Sequence, residues 1–169
     1  CTAQVLLAVM AGMYAVYHGP EGLKHISSKI HKNTKLLEEK LESIGIKQLN
    51  KFYFDTLKIN IDSKKLKKIA ENEKINLNYI DENTVSISLN ETTDLNSLNE
   101  LFKIFQTFSI ISNTNNQIQS KVSFTRIPES MKRYNKFMTH SVFNSYHSET
   151  SMMRYIKSLE RKDLALNHS

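Results

Sequence analysis

The sequence predicts an α+β fold, in which helices cover a small, three-stranded and mainly antiparallel sheet. Two observations predict this class. Between residues 21 and 106 the apolar pattern changes in the order helix, strand, helix, strand, strand, helix. The chain also has only four glycines, two prolines and no tryptophan, which favours helices over a succession of tight turns. Its 169 residues, 40% of them hydrophobic and 24% charged, suffice for about one domain with a buried core.

Residues 1–17 are almost wholly apolar and predict a helix that is buried in a larger protein or at a subunit interface. The segment His18–Gly22 should break this helix, with Gly19 and Pro20 as the breaking residues. Because the chain begins with Cys1 inside the apolar pattern, we expect the sequence to be a piece of a longer protein. A single cysteine cannot form an internal disulfide, which fits a reducing compartment without establishing one.

The small α+β domain is predicted over residues 21–108. A long amphipathic helix spans Glu21–Ser43, because leucine and isoleucine recur there at three- and four-residue steps. Strict alternation predicts a half-buried strand over residues 54–61. The inward residues of this strand are Leu57, Ile59 and Ile61, and a basic helix is predicted to follow over Ser63–Ile75. Two short strands are then predicted around the turn Asp81–Asn83, with the apolar residues Leu77, Tyr79, Val85, Ile87 and Leu89. The last helix begins at Asp94, and its predicted inward residues are Leu95, Leu98, Leu101, Phe102 and Phe105.

The last third of the chain divides into a linker and a polar, helical segment. Residues 109–136 lose their periodicity, and the polar run Ser112–Gln117 has the composition of a linker. Residues 137–169 begin with a polar stretch and continue into a charged helix, whose apolar stripe is expected at Met152, Tyr155, Ile156 and Leu159.

The stretch His140–Thr150 carries the densest set of chemically useful side chains. Ser148 is a suitable N-cap for the helix that follows, and Glu149 then lies at the positive end of the helix dipole. Crowded polar groups at a helix N-terminus are what an anion or a cofactor phosphate needs. The plain alternative is that Ser148 and Glu149 only cap the helix and that His140 and His147 are surface residues.

Charge and spacing argue against three other classes of protein. The net charge of +6 comes from lysines that mostly lie beside glutamates on helices, so the chain lacks the aromatic-rich basic groove of a nucleic-acid binder. The longest apolar run, Val5–Val16, contains Gly12 and is too short to span a bilayer. His25 and His31 share a helix but are six residues apart with no third ligand nearby, so no metal site is predicted.

Several literal segments resemble one family, the decarboxylating glycine dehydrogenases, which are the P-proteins of the glycine cleavage system. The matching segments are CTAQ (1–4), MYAVYHGPEGL (13–23), FDTLKI (54–59), ISLNET (87–92), THSVFNSYHSET (139–150), MRY (153–155) and LERKDL (159–164). The family more often has Asp at the position of Asn90, and residues 109–133 match poorly. The segments occur in the family's order along the whole chain.

The resemblance implies an enzyme that binds glycine on pyridoxal 5'-phosphate, decarboxylates it and passes the aminomethyl group to the lipoyl arm of the H-protein. It also implies two homologous halves, each with the fold type I architecture of pyridoxal-phosphate enzymes. The protein would be a homodimer, or a heterotetramer in which the two halves are separate subunits. The compartment would be the cytoplasm in a bacterium and the mitochondrial matrix in a eukaryote.

On this resemblance, residues 1–20 are an interface helix from the large domain of the first half, and residues 21–108 are that half's small domain. Residues 109–136 are the linker, and residues 137–169 begin the second half. The Schiff-base lysine would lie downstream of Ser169, so no catalytic residue and no activity are expected in this chain alone. The residues expected to line or brace the active site are His140, His147, Ser148, Glu149 and Thr150. The alternative is a non-catalytic interaction or dimerisation module of a pyridoxal-phosphate-fold protein.

Overall fold

The computed structural model describes residues 2–111, 126–164 and 166. Its elements in chain order are α1 (Thr2–Ser43), β1 (Thr56–Asn60), α2 (Ser63–Asn72), β2 (Asn78–Asp81), β3 (Thr84–Ser88), α3 (Leu95–Ile111), two 3₁₀ turns (Glu129–Met131 and Ser141–Asn144) and α4 (Glu149–Glu160). The chain forms two compact units: the first is Cys1–Ile26 with Tyr134–Ser169, and the second is Ser27–Arg133.

The second unit is built on an antiparallel sheet with the strand order β1-β3-β2. Alternation sets its buried face: Leu57 pairs with Ile87 and Ile59 with Val85, and all four side chains are buried. Helices α1, α2 and α3 cover this face with the fully buried residues Leu37, Leu41, Leu66, Leu98 and Phe105. The predicted α+β class is therefore confirmed.

Local sequence explains where the helices of this unit begin. The side chain of Asp62 accepts a hydrogen bond of 2.9 Å from the Lys65 amide at the start of α2. Asp94 accepts one of 2.8 Å from the Ser97 amide at the start of α3. These carboxylates satisfy amides that the first helical turn leaves without partners, and they lie at the positive end of the helix dipole.

Four details of the predicted elements need correction. The helix break is narrower than His18–Gly22, because only Gly19 departs from helical geometry and α1 continues directly from Pro20. The first strand spans Thr56–Asn60 rather than residues 54–61. The basic helix ends at Asn72 rather than at Ile75. Leu95 is 62% exposed instead of facing inward, because it is the first residue of α3 and lies beyond the sheet-facing stripe that starts at Leu98.

A buried polar network ties distant parts of the second unit together. The carboxylate of Glu38 on α1 accepts hydrogen bonds from the Tyr53 hydroxyl at 2.5 Å, from Gln48 at 3.1 Å and from the Arg126 guanidinium at 2.5 Å. The Tyr53 amide also donates to the Arg126 carbonyl at 3.3 Å. Burial, reinforced by the neighbouring carboxylate of Glu38, raises the pKa of Tyr53 well above its usual 10.0. Arg126 is thereby joined to a helix residue 88 positions earlier.

The N-terminal part of α1, in the first unit, exposes its apolar side chains. Val5, Leu6 and Leu7 are each more than 60% exposed, and Val9 and Met10 are more than half exposed. The predicted interface role of this helix stays a prediction. Among the helices in the described ranges, none is long and apolar enough to cross a bilayer. Two predicted features lie outside the described residues: Cys1 and the polar run Ser112–Gln117, which is predicted to be part of a linker.

Candidate functional site

The predicted N-cap of α4 is confirmed. The Ser148 hydroxyl accepts a hydrogen bond of 3.3 Å from the Ser151 amide, and the Ser151 hydroxyl accepts one of 3.1 Å from the Ser148 amide. This reciprocal capping box satisfies two backbone donors that a helix start otherwise leaves free. Just before the cap, Tyr146 stacks on Tyr155 of α4 with ring centroids 4.2 Å apart. The helix start is therefore fixed on both sides of His147.

His147 reaches across the first unit to the kink of α1. Its Nδ1 lies 2.8 Å from the backbone oxygen of Tyr17. A carbonyl oxygen only accepts hydrogen bonds, so Nδ1 of His147 carries a proton and donates it to the Tyr17 carbonyl. Tyr17 lies in the last turn before the kink, where helical carbonyls need partners from outside the helix.

Gly19 allows this approach in two ways. Its backbone has φ 62° and ψ −177°, a region that essentially only glycine occupies. A Cβ atom at this position would lie 2.6 Å from Cε1 of His147 and 2.6 Å from the carbonyl oxygen of Phe143. Any other residue would therefore combine backbone strain with overlap against both neighbours.

His140 has a local structural role in this geometry. Its Nδ1 accepts a hydrogen bond of 3.2 Å from the Val142 amide and so caps the 3₁₀ turn Ser141–Asn144. Asn144 closes the same turn, because its side-chain amide donates to the carbonyls of Met138 and His140 at 3.0 Å each. This turn carries the Phe143 carbonyl that lies against Gly19.

Glu149 and Thr150 occupy the first turn of α4 with exposed side chains. They offer a carboxylate and a hydroxyl on the first unit. This set suits a ligand that donates hydrogen bonds or carries positive charge. Glu149 already places negative charge at the helix start, and the predicted anion or phosphate site there stays a prediction.

A cleft of about 420 Å³ lies beside the kink in the same unit. Within it, the Lys24 ammonium forms an ion pair of 2.7 Å with Glu21 and lies 5.8 Å from the centroid of the Phe137 ring. The lining residues are Pro20, Glu21, Lys24, Lys136, Phe137, Met138, Thr139 and Asn144. The lining of this cleft thus combines charged side chains with apolar ones.

The predicted absence of a Schiff-base lysine from this chain stays a prediction. No lysine in the described ranges is buried, so none is held in the apolar pocket that lowers the pKa of a Schiff-base lysine. Within the same ranges, no three histidine, cysteine or acidic side chains come together as a metal site.

Sequence reasoning singled out the five polar residues but missed the contacts that hold them. Tyr17, Gly19 and Phe143 position His147, yet Gly19 was interpreted only as a helix breaker. The Gly19-Pro20 pair was the available signal, since it marks a kink where carbonyls are free to accept a distant donor. The identity of that donor depends on tertiary structure.

Comparison with known proteins shows relatives that match this chain over its whole length. Residues 1–105 match the family model described as glycine cleavage system P-protein. The decarboxylating glycine dehydrogenases of Christiangramia forsetii and Flavobacterium johnsoniae are 51% and 48% identical over 169 residues, and the mitochondrial one of Solanum tuberosum is 42% identical over 171. Each match covers 100% of this chain, which spans only 18%, 18% and 16% of those proteins. Because the family model covers more than half of its residues, the chain belongs to the glycine cleavage system P-protein family.

Proposed function

We propose that this chain is one part of a pyridoxal-phosphate-dependent glycine decarboxylase. The observation that carries the proposal is the identity of 51% to a decarboxylating glycine dehydrogenase over all 169 residues, including the site stretch at the C-terminal end. In the full-length protein, glycine loses carbon dioxide and its aminomethyl group passes to the lipoyl arm of the H-protein. The cytoplasm of a bacterium or the mitochondrial matrix of a eukaryote would be the compartment.

Within that enzyme, the second unit has the features expected of the small domain of a fold type I half. It combines a three-stranded antiparallel sheet with covering helices. The apolar N-terminal part of α1 would pack on the large domain or on the other subunit, as a homodimer or a two-half heterotetramer requires. Residues 137–169 would begin the second half. The exposure of Val5, Leu6 and Leu7 supports this packing role, since such side chains are normally covered.

The residues of this chain bind and position rather than carry the cofactor. When bound, pyridoxal phosphate supplies an electron sink for the carbanion that decarboxylation leaves. In the first unit, Glu149 and Thr150 present acceptors that can orient a donor such as the glycine ammonium group. Ser148 and His140 hold the backbone that carries these acceptors.

The test needs the full-length protein that contains this chain. We expect the purified protein to show a visible absorbance band from bound pyridoxal phosphate and to exchange labelled carbon dioxide into glycine when H-protein is present. Replacing Glu149 with Gln should reduce this exchange while the cofactor band and the melting temperature remain. A full-length protein with neither cofactor band nor exchange would refute the proposal.

The exposed apolar face of α1 supports a second candidate, a non-catalytic interaction module. In that case the site stretch would serve packing alone, and Glu149→Gln would lower the melting temperature together with any activity. A melting temperature that is unchanged while exchange falls separates the enzyme from the packing module, because a packing residue acts through stability.

A further inference from the structure

Four residues of the first unit form a contact that we call the kink anchor: Tyr17, Gly19, Phe143 and His147. The imidazole of His147 donates to the Tyr17 carbonyl at 2.8 Å, and its Cε1 lies where a Cβ of residue 19 would otherwise stand. The carbonyl of Phe143 lies equally close to that position. The anchor joins parts of the chain that are 130 residues apart.

The position of His147 in the chain gives this contact its importance. His147 immediately precedes Ser148, the N-cap of α4, and Glu149 and Thr150 follow in the first turn. A side chain held one residue before the cap restricts the movement of that turn. Misplacement of reacting groups by about 1 Å can cost about 100-fold in rate, so such fixing matters for catalysis.

We propose that the kink anchor positions the first turn of α4 for the reaction, and that His147 does so through its Nδ1–H group rather than through Nε2. His147 is thus a positioning residue, and Gly19 is its necessary counterpart on α1. This inference rests on the proposed glycine decarboxylase function, because it assigns a role within that reaction.

Two substitutions at His147 separate the two ring nitrogens. In His147→Asn, the side-chain amide nitrogen is bonded to Cγ, as Nδ1 is, so it can still donate to the Tyr17 carbonyl. In His147→Gln, the amide nitrogen lies one bond further out, near the place of Nε2, and the bond to Tyr17 is lost. The full-length protein with its cofactor and H-protein is assayed for kcat and KM, and hydrogen exchange is followed in the peptide that covers residues 146–156.

We expect His147→Gln to lower kcat roughly 10- to 100-fold, in line with a misplaced catalytic turn, and to speed hydrogen exchange at the start of α4. His147→Asn should keep kcat within about fivefold of wild type, which is the scale of one altered neutral hydrogen bond. KM for glycine should change less than kcat, because the turn is misplaced rather than removed. Equal loss in both variants, or loss in Asn with activity kept in Gln, would overturn the proposal.

Gly19 on α1 provides a second test of the kink anchor. Gly19→Ala should reproduce the loss seen with Gln, because its Cβ would displace the imidazole and the backbone at φ 62° is strained for alanine. An active Gly19→Ala enzyme with wild-type exchange at α4 would contradict the role of the anchor. If the wild type shows neither cofactor band nor turnover, the proposed function fails, whereas the exchange data still decide whether His147 anchors α4.

Discussion

The partly buried ion pair between Glu38 and Arg126 should contribute asymmetrically to the stability of the second unit. The Glu38 side chain is only 6% exposed, whereas that of Arg126 is 28% exposed and can reach water. Arg126→Met leaves a buried carboxylate without its counter-ion, while Glu38→Gln leaves a guanidinium that water can still solvate. We therefore expect Arg126→Met to destabilise this region more than Glu38→Gln does.

The expected size follows from burial. Removing one partner of a fully buried pair costs about 3–5 kcal/mol. Tyr53 and Gln48 still donate to the Glu38 carboxylate after Arg126 is replaced, and the site is partly open to water. We therefore expect about 2–3 kcal/mol for Arg126→Met and about 1–2 kcal/mol for Glu38→Gln. The double variant should lose about 1–2 kcal/mol less than the sum, because the two groups interact directly.

Hydrogen exchange of the full-length protein gives the measurement. The Tyr53 amide donates to the Arg126 carbonyl, so a peptide containing Tyr53 reports local opening of the network. A loss of 2–3 kcal/mol corresponds to exchange that is roughly 30- to 140-fold faster. Lys64→Met is the matched control: Lys64 and Glu82 pair at 2.8 Å but are 78% and 77% exposed, and exposed pairs contribute little. Strictly additive effects at Glu38 and Arg126, or a change as large in the control, would refute the reasoning.

Three further predictions concern the same fold. Because the pKa of Tyr53 is raised, the folded state holds the phenol proton more tightly than the unfolded state, so this contribution to stability is complete below pH 10.0 and is lost as the pH rises above it. The difference between the ultraviolet titrations of wild type and Tyr53→Phe should show one phenol that ionises only well above pH 10.0. A normal midpoint for this phenol would contradict the prediction. Ser148→Ala should cost about 1 kcal/mol and speed exchange in the first turn of α4, whereas Ser148→Asp should restore protection. Phe105→Ala should lower the unfolding free energy of the α3 region by about 3–5 kcal/mol in urea-dependent exchange, while Leu95→Ala on the exposed side of α3 should change it by less than about 0.5 kcal/mol.

The fold of the second unit was predictable because it depends on local periodicity. Leu57, Ile59, Val85 and Ile87 alternate in sequence, and the structure buries all four on one face of the sheet. Leu95 was misassigned because periodicity defines a stripe but not where along the helix the neighbouring sheet ends. The order of the elements and the core residues follow from sequence spacing. Which part of each apolar stripe is buried depends on the elements that pack against it.

The candidate site was predictable only in its residue types. Ser148 was found as an N-cap because capping is a local interaction among neighbouring residues. The role of His140 as the cap of a 3₁₀ turn is equally local, but its Nδ1–Val142 bond has no characteristic spacing that distinguishes it from a surface histidine. The individual roles of Glu149 and Thr150 in the reaction stay predictions, since each of them depends on groups outside this chain.

The interactions that sequence could not reveal share one physical feature. Arg126 reaches Glu38 over 88 positions, and His147 reaches Tyr17 over 130. In both cases a polar side chain satisfies a group that would otherwise lack a partner: a buried carboxylate in one and a carbonyl beside a helix kink in the other. The sequence can indicate that such a group requires a hydrogen-bond partner, through a glutamate at a core position of α1 or a Gly-Pro pair within a helix. The distant donor that supplies the hydrogen bond can be identified only in the folded structure, because the free-energy cost of an unsatisfied group depends on its burial and not on its neighbours in sequence.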